Sequence, residues 1–321
     1  MSLLNLQMLL ETELEKITFP EHPKNLYDPL RYFMTIGGKR IRPLLALLAC
    51  DAVGENPKKA INAAIAVELF HNFSLIHDDI MDEAPLRRGM QTIHTKWNEH
   101  IAILSGDVLF VEAYKFLSLN DPAILGELLT VFNQTSAEVC EGQQMDMDFE
   151  QLETVAIDTY IEMIRLKTSV LLGCSLKMGA IVGGASKENA QKLYDFGQHV
   201  GIAFQIQDDI LDLYADPDKF GKQVGGDVMA NKKTILALVA EAEASEAQKL
   251  TLKTYRAIDS PELKVQKTRE LFNQLNAKEK CEQLKLEHNA AAFNALASLE
   301  IPEENKKQLF QLATDLLSRE F

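Results

Sequence analysis

Apolar residues recur at helical spacing along most of this chain. The pattern is clear in RPLLALLACDAV, AINAAIAVELFHNFSLIHDDIMDE, LSGDVLFVEAYKFLSL, AILGELLTVFNQTSAEVCEGQQMDM and TYIEMIRLKTSVLLGCSLKMGAIVGG. Alternating strand-like runs bounded by Asn-Gly or Asp-Gly are absent. Turn signals separate the periodic runs at 19–25, 55–59, 120–122, 259–262 and 301–305, and none is long enough to link domains. The pattern predicts a single all-α domain over 1–321, with roughly ten or more helices joined by short loops. The run Ala60–Asp82 is apolar nearly all round, which suits a central helix ringed by others. After about residue 240 the chain turns polar and lysine-rich, as outer amphipathic helices do.

Composition narrows the function. With 321 residues, 46% of them hydrophobic, the chain can bury a sizeable core. A net charge of −14 argues against a nucleic-acid partner. It also requires that any anionic substrate be held by a local basic cluster or by metal ions, against the overall field. Cys50, Cys140, Cys174 and Cys281 are widely spaced with no CxxC pair, which fits reduced thiols and a cytoplasmic setting. The N-terminal stretch carries Glu11, Glu13 and Glu15 and lacks a signal-peptide pattern. No apolar run is long enough for a membrane span.

Within the apolar run HNFSLIHDDIMDEAPLRRG sit Asp78, Asp79 and Asp82. Residues four apart share a helix face about 6 Å apart, so Asp78 and Asp82 project together and repel. A solvated helix end or a divalent cation could relieve that repulsion, and carboxylate oxygens used sparingly suit Mg²⁺. A near copy, DDILD, places Asp208, Asp209 and Asp212 about 130 residues later, again among apolar neighbours. Six carboxylates facing one cavity would be untenable without several divalent ions and a polyanionic ligand. Basic residues flank these motifs: Lys39 and Arg42 in GGKRIRP, expected three apart on one helical face, then Arg87, Arg88, Lys167, Lys222 and Lys232. Each alone is an ordinary surface residue, whereas the set reads as diphosphate ligands. No GxxxxGK[ST] loop exists, so an ordinary nucleotide site is not expected.

The ordered series GGKRIRP, His71, LIHDDIMDEAPLRRG, CEGQQMD, KTS, FQIQDDILD and FGKQVGGD, from about residue 30 to 235, resembles the trans-isoprenyl diphosphate synthases. The resemblance implies the isoprenoid-synthase fold, an all-α helical bundle around a deep central cavity, as a homodimer. It implies head-to-tail condensation of isopentenyl diphosphate with an allylic diphosphate (dimethylallyl, geranyl or farnesyl), assisted by three Mg²⁺ ions. By motif position, Asp78, Asp82 and Asp208 are implied metal ligands, with Asp79, Asp209 and Asp212 ligands or their support. Lys39, Arg42, His71 and Arg88 are implied to hold isopentenyl diphosphate; Arg87, Lys167, Lys222 and Lys232 are implied to hold the allylic diphosphate. Thr168 and Gln205 would aim oxygen dipoles at the developing cation, with Gln143 and Asp146 as support near the first metal site. Asn231 stands where the family commonly has Gly, and Asn tolerates left-handed backbone.

Product length turns on the residues below the first motif. At 1.5 Å per residue, Ser74 lies about 6 Å and Phe73 about 7.5 Å below Asp78. A bulky Phe73 followed by a small Ser74 resembles short-chain enzymes of the archaeal geranylgeranyl type. The expectation is fifteen to twenty carbons, with twenty favoured. A deeper residue such as Phe70, or one on a neighbouring helix, is the other candidate for the stop. The alternatives are a longer-chain synthase and a non-catalytic subunit of a heteromeric synthase. A terpene cyclase or a squalene-type synthase would not need the GGKRIRP site.

Overall fold

The computed structural model describes residues 1–215 and 224–317. The chain opens with α1 (Leu3–Leu14), α2 (Lys24–Thr35), α3 (Ile41–Ala52), α4 (Ile61–Met81), α5 (Ile93–Lys96) and α6 (Glu99–Ser118). Next come α7 (Pro122–Gln151), α8 (Ile157–Ile164), a π-helical turn (Arg165–Ser169), α9 (Val170–Val182) and α10 (Lys187–Tyr214). The remaining helices are α11 (Gly226–Met229), α12 (Ile235–Glu243), α13 (Glu246–Arg256), α14 (Pro261–Gln274), α15 (Ala277–Ala297) and α16 (Glu303–Leu317). Among the described residues none of these helices is long and apolar enough to cross a membrane.

The described chain gathers into two compact units. The first takes in Met1–Phe132, Cys174–Leu193 and Glu300–Leu309, and the second takes in the rest. In the first, α4 packs against α3 and α6. Residues 44–50 of α3 are all buried, as are Ala63–Phe70 of α4, so these helices bury nearly every face. Burying each large apolar side chain contributes about 1.5–3 kcal/mol. A single turn at Pro57–Ala60 leads into α4, and the Asn56 side chain there accepts from Lys58 N at 3.1 Å.

The far end of α4 is closed by backbone. Glu83 takes left-handed geometry (φ 49), its N–H donates to Ile80 O, and Ala84 N–H donates to Asp79 O at 3.0 Å. This Schellman arrangement satisfies the last carbonyls and turns the chain sharply beyond Asp82. It leads into a two-stranded antiparallel hairpin, Leu86–Arg87 with Met90–Gln91. This is the only sheet among the described residues. Arg88 (φ 52) and Gly89 (φ 77) form its left-handed two-residue turn. The sequence pattern did not signal it because Arg, not Asn or Asp, precedes the glycine.

The second unit is built on α10. Ile202, Ile206, Ile210 and Leu213 recur at helical spacing and are buried with Leu236 and Val239 of α12, Leu271 and Phe272 of α14, and Cys281 of α15. Gln205, Asp208 and Asp212 fall between these apolar positions. Cys50, Cys174 and Cys281 are buried thiols, and Cys140 is an exposed one.

Candidate active site

Both aspartate motifs sit in the last turns of their helices. Asp78 and Asp79 are near the end of α4, with Asp82 as its C-cap; Asp208, Asp209 and Asp212 are near the end of α10. The peptide dipoles already leave partial negative charge at a helix C-terminus. Carboxylates there add to it, so the acidic crowding is worse than spacing alone implied, and cations are called for more strongly.

In the first motif the middle aspartate is spoken for. Asp79 is 2% exposed, and Arg87 Nε donates to both of its oxygens at 2.9 Å. Arg87 also lies 3.5 Å from Asp78. Burial pushes the Asp79 carboxyl above its usual range, and Arg87 opposes that push. The hairpin brings Arg87 back over the end of α4.

Beside this acidic end is a basic pocket. His71 lies seven residues, or about 10.5 Å, before Asp78 on α4. Its Nε2 is 3.1 Å from Arg42 Nη1. Burial, followed by the charges of Arg42, Arg88, Arg87 and Arg40, holds His71 well below its ordinary value, so it is neutral. Facing a guanidinium donor, Nε2 is the accepting nitrogen and the proton belongs on Nδ1. Burial likewise lowers Arg42 to about 10, which leaves it charged at neutral pH. Arg88 donates to Gly37 O. Lys39 and Arg42 do not share a helical face as expected. Arg40 caps α3 in left-handed geometry (φ 48), so the helix starts at Ile41 and Lys39 stands in the preceding loop.

Phe73 stacks on Phe110 of α6, with centroids 4.8 Å apart and planes 14° apart. His77 meets Phe73 edge-on at 4.7 Å, and Phe70 lies 5.6 Å away. Ser74 turns its hydroxyl back to His71 O at 2.8 Å. The residue below the first motif is thus one layer of an aromatic stack shared by two helices.

The second motif has its own internal pairing. Asp209 is 5% exposed; it accepts from Tyr160 OH at 2.6 Å, Gln205 Nε2 at 3.1 Å and Ile235 N at 3.3 Å. Burial nevertheless pushes it up to about 6. Because Gln205 donates to Asp209, its oxygen is turned the other way, where Thr168 Oγ1 donates to it at 3.4 Å. Lys167 reaches Asp146 at 2.6 Å. Asp212 accepts from Asp227 N at 3.0 Å. Asp227 itself is pushed up to about 7, first by burial and then by Asp212 and Asp209; Lys232 opposes the push. Asn231 is left-handed (φ 54), as the loop requires. Lys222 lies outside the described residues. Asp227 had a sequence signal, the last residue of VGGD, but no assigned role. Tyr160 had none, because nothing local marks a buried phenol as the partner of a carboxylate 49 positions away.

Lys167 and Thr168 stand on the π-helical turn, which interrupts what the sequence presents as one continuous helical run. Two glycines make room for it. A Cβ on Gly142 of α7 would lie 2.8 Å from Leu166, and one on Gly201 of α10 would lie 2.7 Å from Ser169. Gly142→Ala is therefore expected to displace the turn and lower kcat about 100-fold while the helical circular dichroism is retained. Steady-state rates on the purified variant check this, and a change under threefold would show that the turn tolerates the methyl.

Among the described residues no three or more His, Cys, Asp or Glu side chains form a ready-made metal cage. The donors on offer are carboxylate oxygens, few per motif. This suits a hydrated divalent ion that completes its shell with water and ligand phosphate.

Known proteins agree with this architecture. The family described as Polyprenyl synthetase matches residues 23–275. The chain is 46% identical over 220 residues to a geranylgeranyl diphosphate synthase of Methanosarcina mazei, covering 68% of each. It is 40% identical over 299 residues to a short chain isoprenyl diphosphate synthase of Methanothermobacter thermautotrophicus, covering 93% of this chain and 91% of that one. A crystal structure of a geranylgeranyl pyrophosphate synthase superposes with a TM-score of 0.94 at 40% identity, covering 100% of both chains. The chain belongs to the polyprenyl synthetase family, the trans-prenyltransferases that make isoprenyl diphosphates.

Proposed function

We propose that this enzyme joins isopentenyl diphosphate head to tail with an allylic diphosphate and stops at fifteen to twenty carbons, with twenty favoured. The observation that carries the reading is the pair of unlike surfaces on α4. A buried arginine–histidine pocket lies about two turns from an acidic helix end. One diphosphate can be gripped directly by cations, and another needs metal between it and carboxylates. The relatives named geranylgeranyl diphosphate synthases favour twenty carbons.

In this reading Lys39, Arg42, His71 and Arg88 hold isopentenyl diphosphate. Lys167, Lys222, Lys232 and Arg87 hold the allylic diphosphate. Asp78, Asp82, Asp208 and Asp212 supply oxygens to Mg²⁺, three ions by the family pattern, with Asp227 beside them. Asp79 and Asp209 aim their neighbours, because their oxygens are already engaged by Arg87, Tyr160 and Gln205. Bound Mg²⁺ would take up the charge that develops on the leaving diphosphate as the allylic C–O bond breaks. Gln205 and Thr168 present oxygen dipoles to the allylic cation without being readily alkylated. The isopentenyl double bond attacks that cation, and the proton lost from the adduct goes to the released diphosphate. Incubating the purified protein with Mg²⁺, isopentenyl diphosphate and separate dimethylallyl, geranyl and farnesyl primers, then sizing the products, tests the reading. No elongation from any primer overturns it.

Metal dependence is also expected in the stability. Asp209 and Asp227 titrate higher folded than the ordinary value of about 4. The folded state then holds protons that the unfolded chain has released, so metal-free protein loses stability as pH rises from about 4 to about 7. Mg²⁺ held next to them by Asp208 and Asp212 would favour the charged forms of Asp209 and Asp227 in place of those protons. It should raise Tm by about 2–4 °C at pH of about 8 and much less at about 5. Calorimetry with Mg²⁺ or with chelator checks this; equal shifts at both pH values would show that the ion does not sit beside these carboxylates.

A second copy of the chain is proposed to cover the α6 face on which Ile103, Leu104 and Val111 are exposed. Light scattering should give twice the 36.0 kDa chain mass, and a monomer at micromolar concentration would refute it.

A further inference from the structure

One carboxylate in the basic pocket has no part in the condensation. Glu68 lies on α4 three residues before His71, one turn away on the same face. Its side chain is 4% exposed, and Oε1 accepts from Arg40 Nη1 at 2.5 Å. Arg40 is also nearly buried, at 9%; its Nε lies 3.8 Å from the more exposed Glu11. The charge of Glu68 reaches Arg42 and Arg88 as well. A buried carboxylate beside an anion pocket works against anion binding, and burying it is costly unless it is paired.

The backbone of Arg40 explains its presence. Arg40 caps α3 in left-handed geometry, which residues bearing a Cβ avoid unless something holds them there. That bend leaves Lys39 in the loop and places Arg42 in the helix. The GGKRIR segment is latched twice, by Arg88 to Gly37 O and by Arg40 to Glu68. The pairing also matches a surplus arginine with a buried carboxylate, as Asp79 matches Arg87. Without it, Arg40 would crowd Arg42 and Arg88 with a further unmatched charge.

We infer that Glu68, acting through Arg40, is a positioning residue for the isopentenyl diphosphate pocket: the pair holds the bend from which Lys39 and Arg42 reach the substrate. The inference rests on the assignment of Lys39, Arg42, His71 and Arg88 to that substrate.

Steady-state kinetics with each substrate varied in turn tests it. Glu68→Gln should raise KM for isopentenyl diphosphate about tenfold and leave KM for the allylic primer within about twofold. Arg40→Gln should do the same. The double variant should be no worse than either single one, because the two side chains act as a unit. Glu68→Asp, which keeps the charge, should recover part of the loss, and with Arg40→Gln it carries the test if Glu68→Gln fails to fold. Arg42→Gln separates the two levels. If it leaves KM for isopentenyl diphosphate unchanged, the pocket assignment fails. If Arg42→Gln raises that KM while the Glu68 variants do not, the positioning role fails. Equal rises in both KM values, or additive effects of Glu68→Gln and Arg40→Gln, overturn it too.

Discussion

Asp78→Ala should lower kcat by about 1000-fold or more. Asp78 stands at the negative end of the α4 dipole, within 3.5 Å of Arg87 but without the bidentate grip that Arg87 keeps on Asp79. In the proposed reading Asp78 holds a cation, and removing it would leave the leaving diphosphate without charge relief. Stability should move the other way. Deleting a carboxylate from a crowded helix C-terminus removes repulsion, so the metal-free Tm should stay level or rise. Asp79→Asn should differ, because it frees Arg87 in a buried setting and costs about 3 kcal/mol or more. Kinetics and thermal melts on the two variants separate a metal ligand from a structural carboxylate. A fall in kcat of less than tenfold for Asp78→Ala would refute the metal role.

Phe73→Ala should lengthen the main product by at least one five-carbon unit. The ring lies about 7.5 Å below Asp78 along the axis, one residue of the helix per 1.5 Å. It does not stand alone. Phe110 stacks on it from α6, His77 buttresses one edge, and Phe70 and Phe132 continue the layer below. Removing the ring opens a space lined by Phe110 and Phe70, and the half-buried site makes the stability cost about 2 kcal/mol, less than for a fully buried phenylalanine. Phe110→Ala should lengthen the product as well, because Phe73 loses the surface that holds it flat. Chromatography of the extracted, dephosphorylated products reads both. If Phe110→Ala lengthens the product and Phe73→Ala does not, the stop lies on α6. If neither does, the aromatic layer is core packing.

Much of the candidate site was legible in the sequence. The periodicity marked α4 and α10 as buried helices, and the two aspartate triplets stood out against it. The basic residues around them were recognisable as a set, and the departure at Asn231 was compatible with a left-handed loop, which is what it forms. Other features had no local signature. Helical spacing suggested one face for Lys39 and Arg42, but a left-handed Arg40 separates them. The run from 159 to 184 read as unbroken helix, yet it holds a π turn where Lys167 and Thr168 stand.

What this sequence determined by itself was the helical architecture and the grouping of acidic and basic residues into motifs along it. Those follow from spacing along one chain, which local backbone geometry converts directly into faces and ends. The tertiary structure alone decided which charges are used up internally. It gave Asp79 to Arg87, Asp209 to Tyr160 and Gln205, and Arg40 to Glu68, and it kept His71 neutral. Such pairings depend on which distant groups are buried together. Desolvation makes an unmatched buried charge costly enough to select its partner, whatever the separation along the chain.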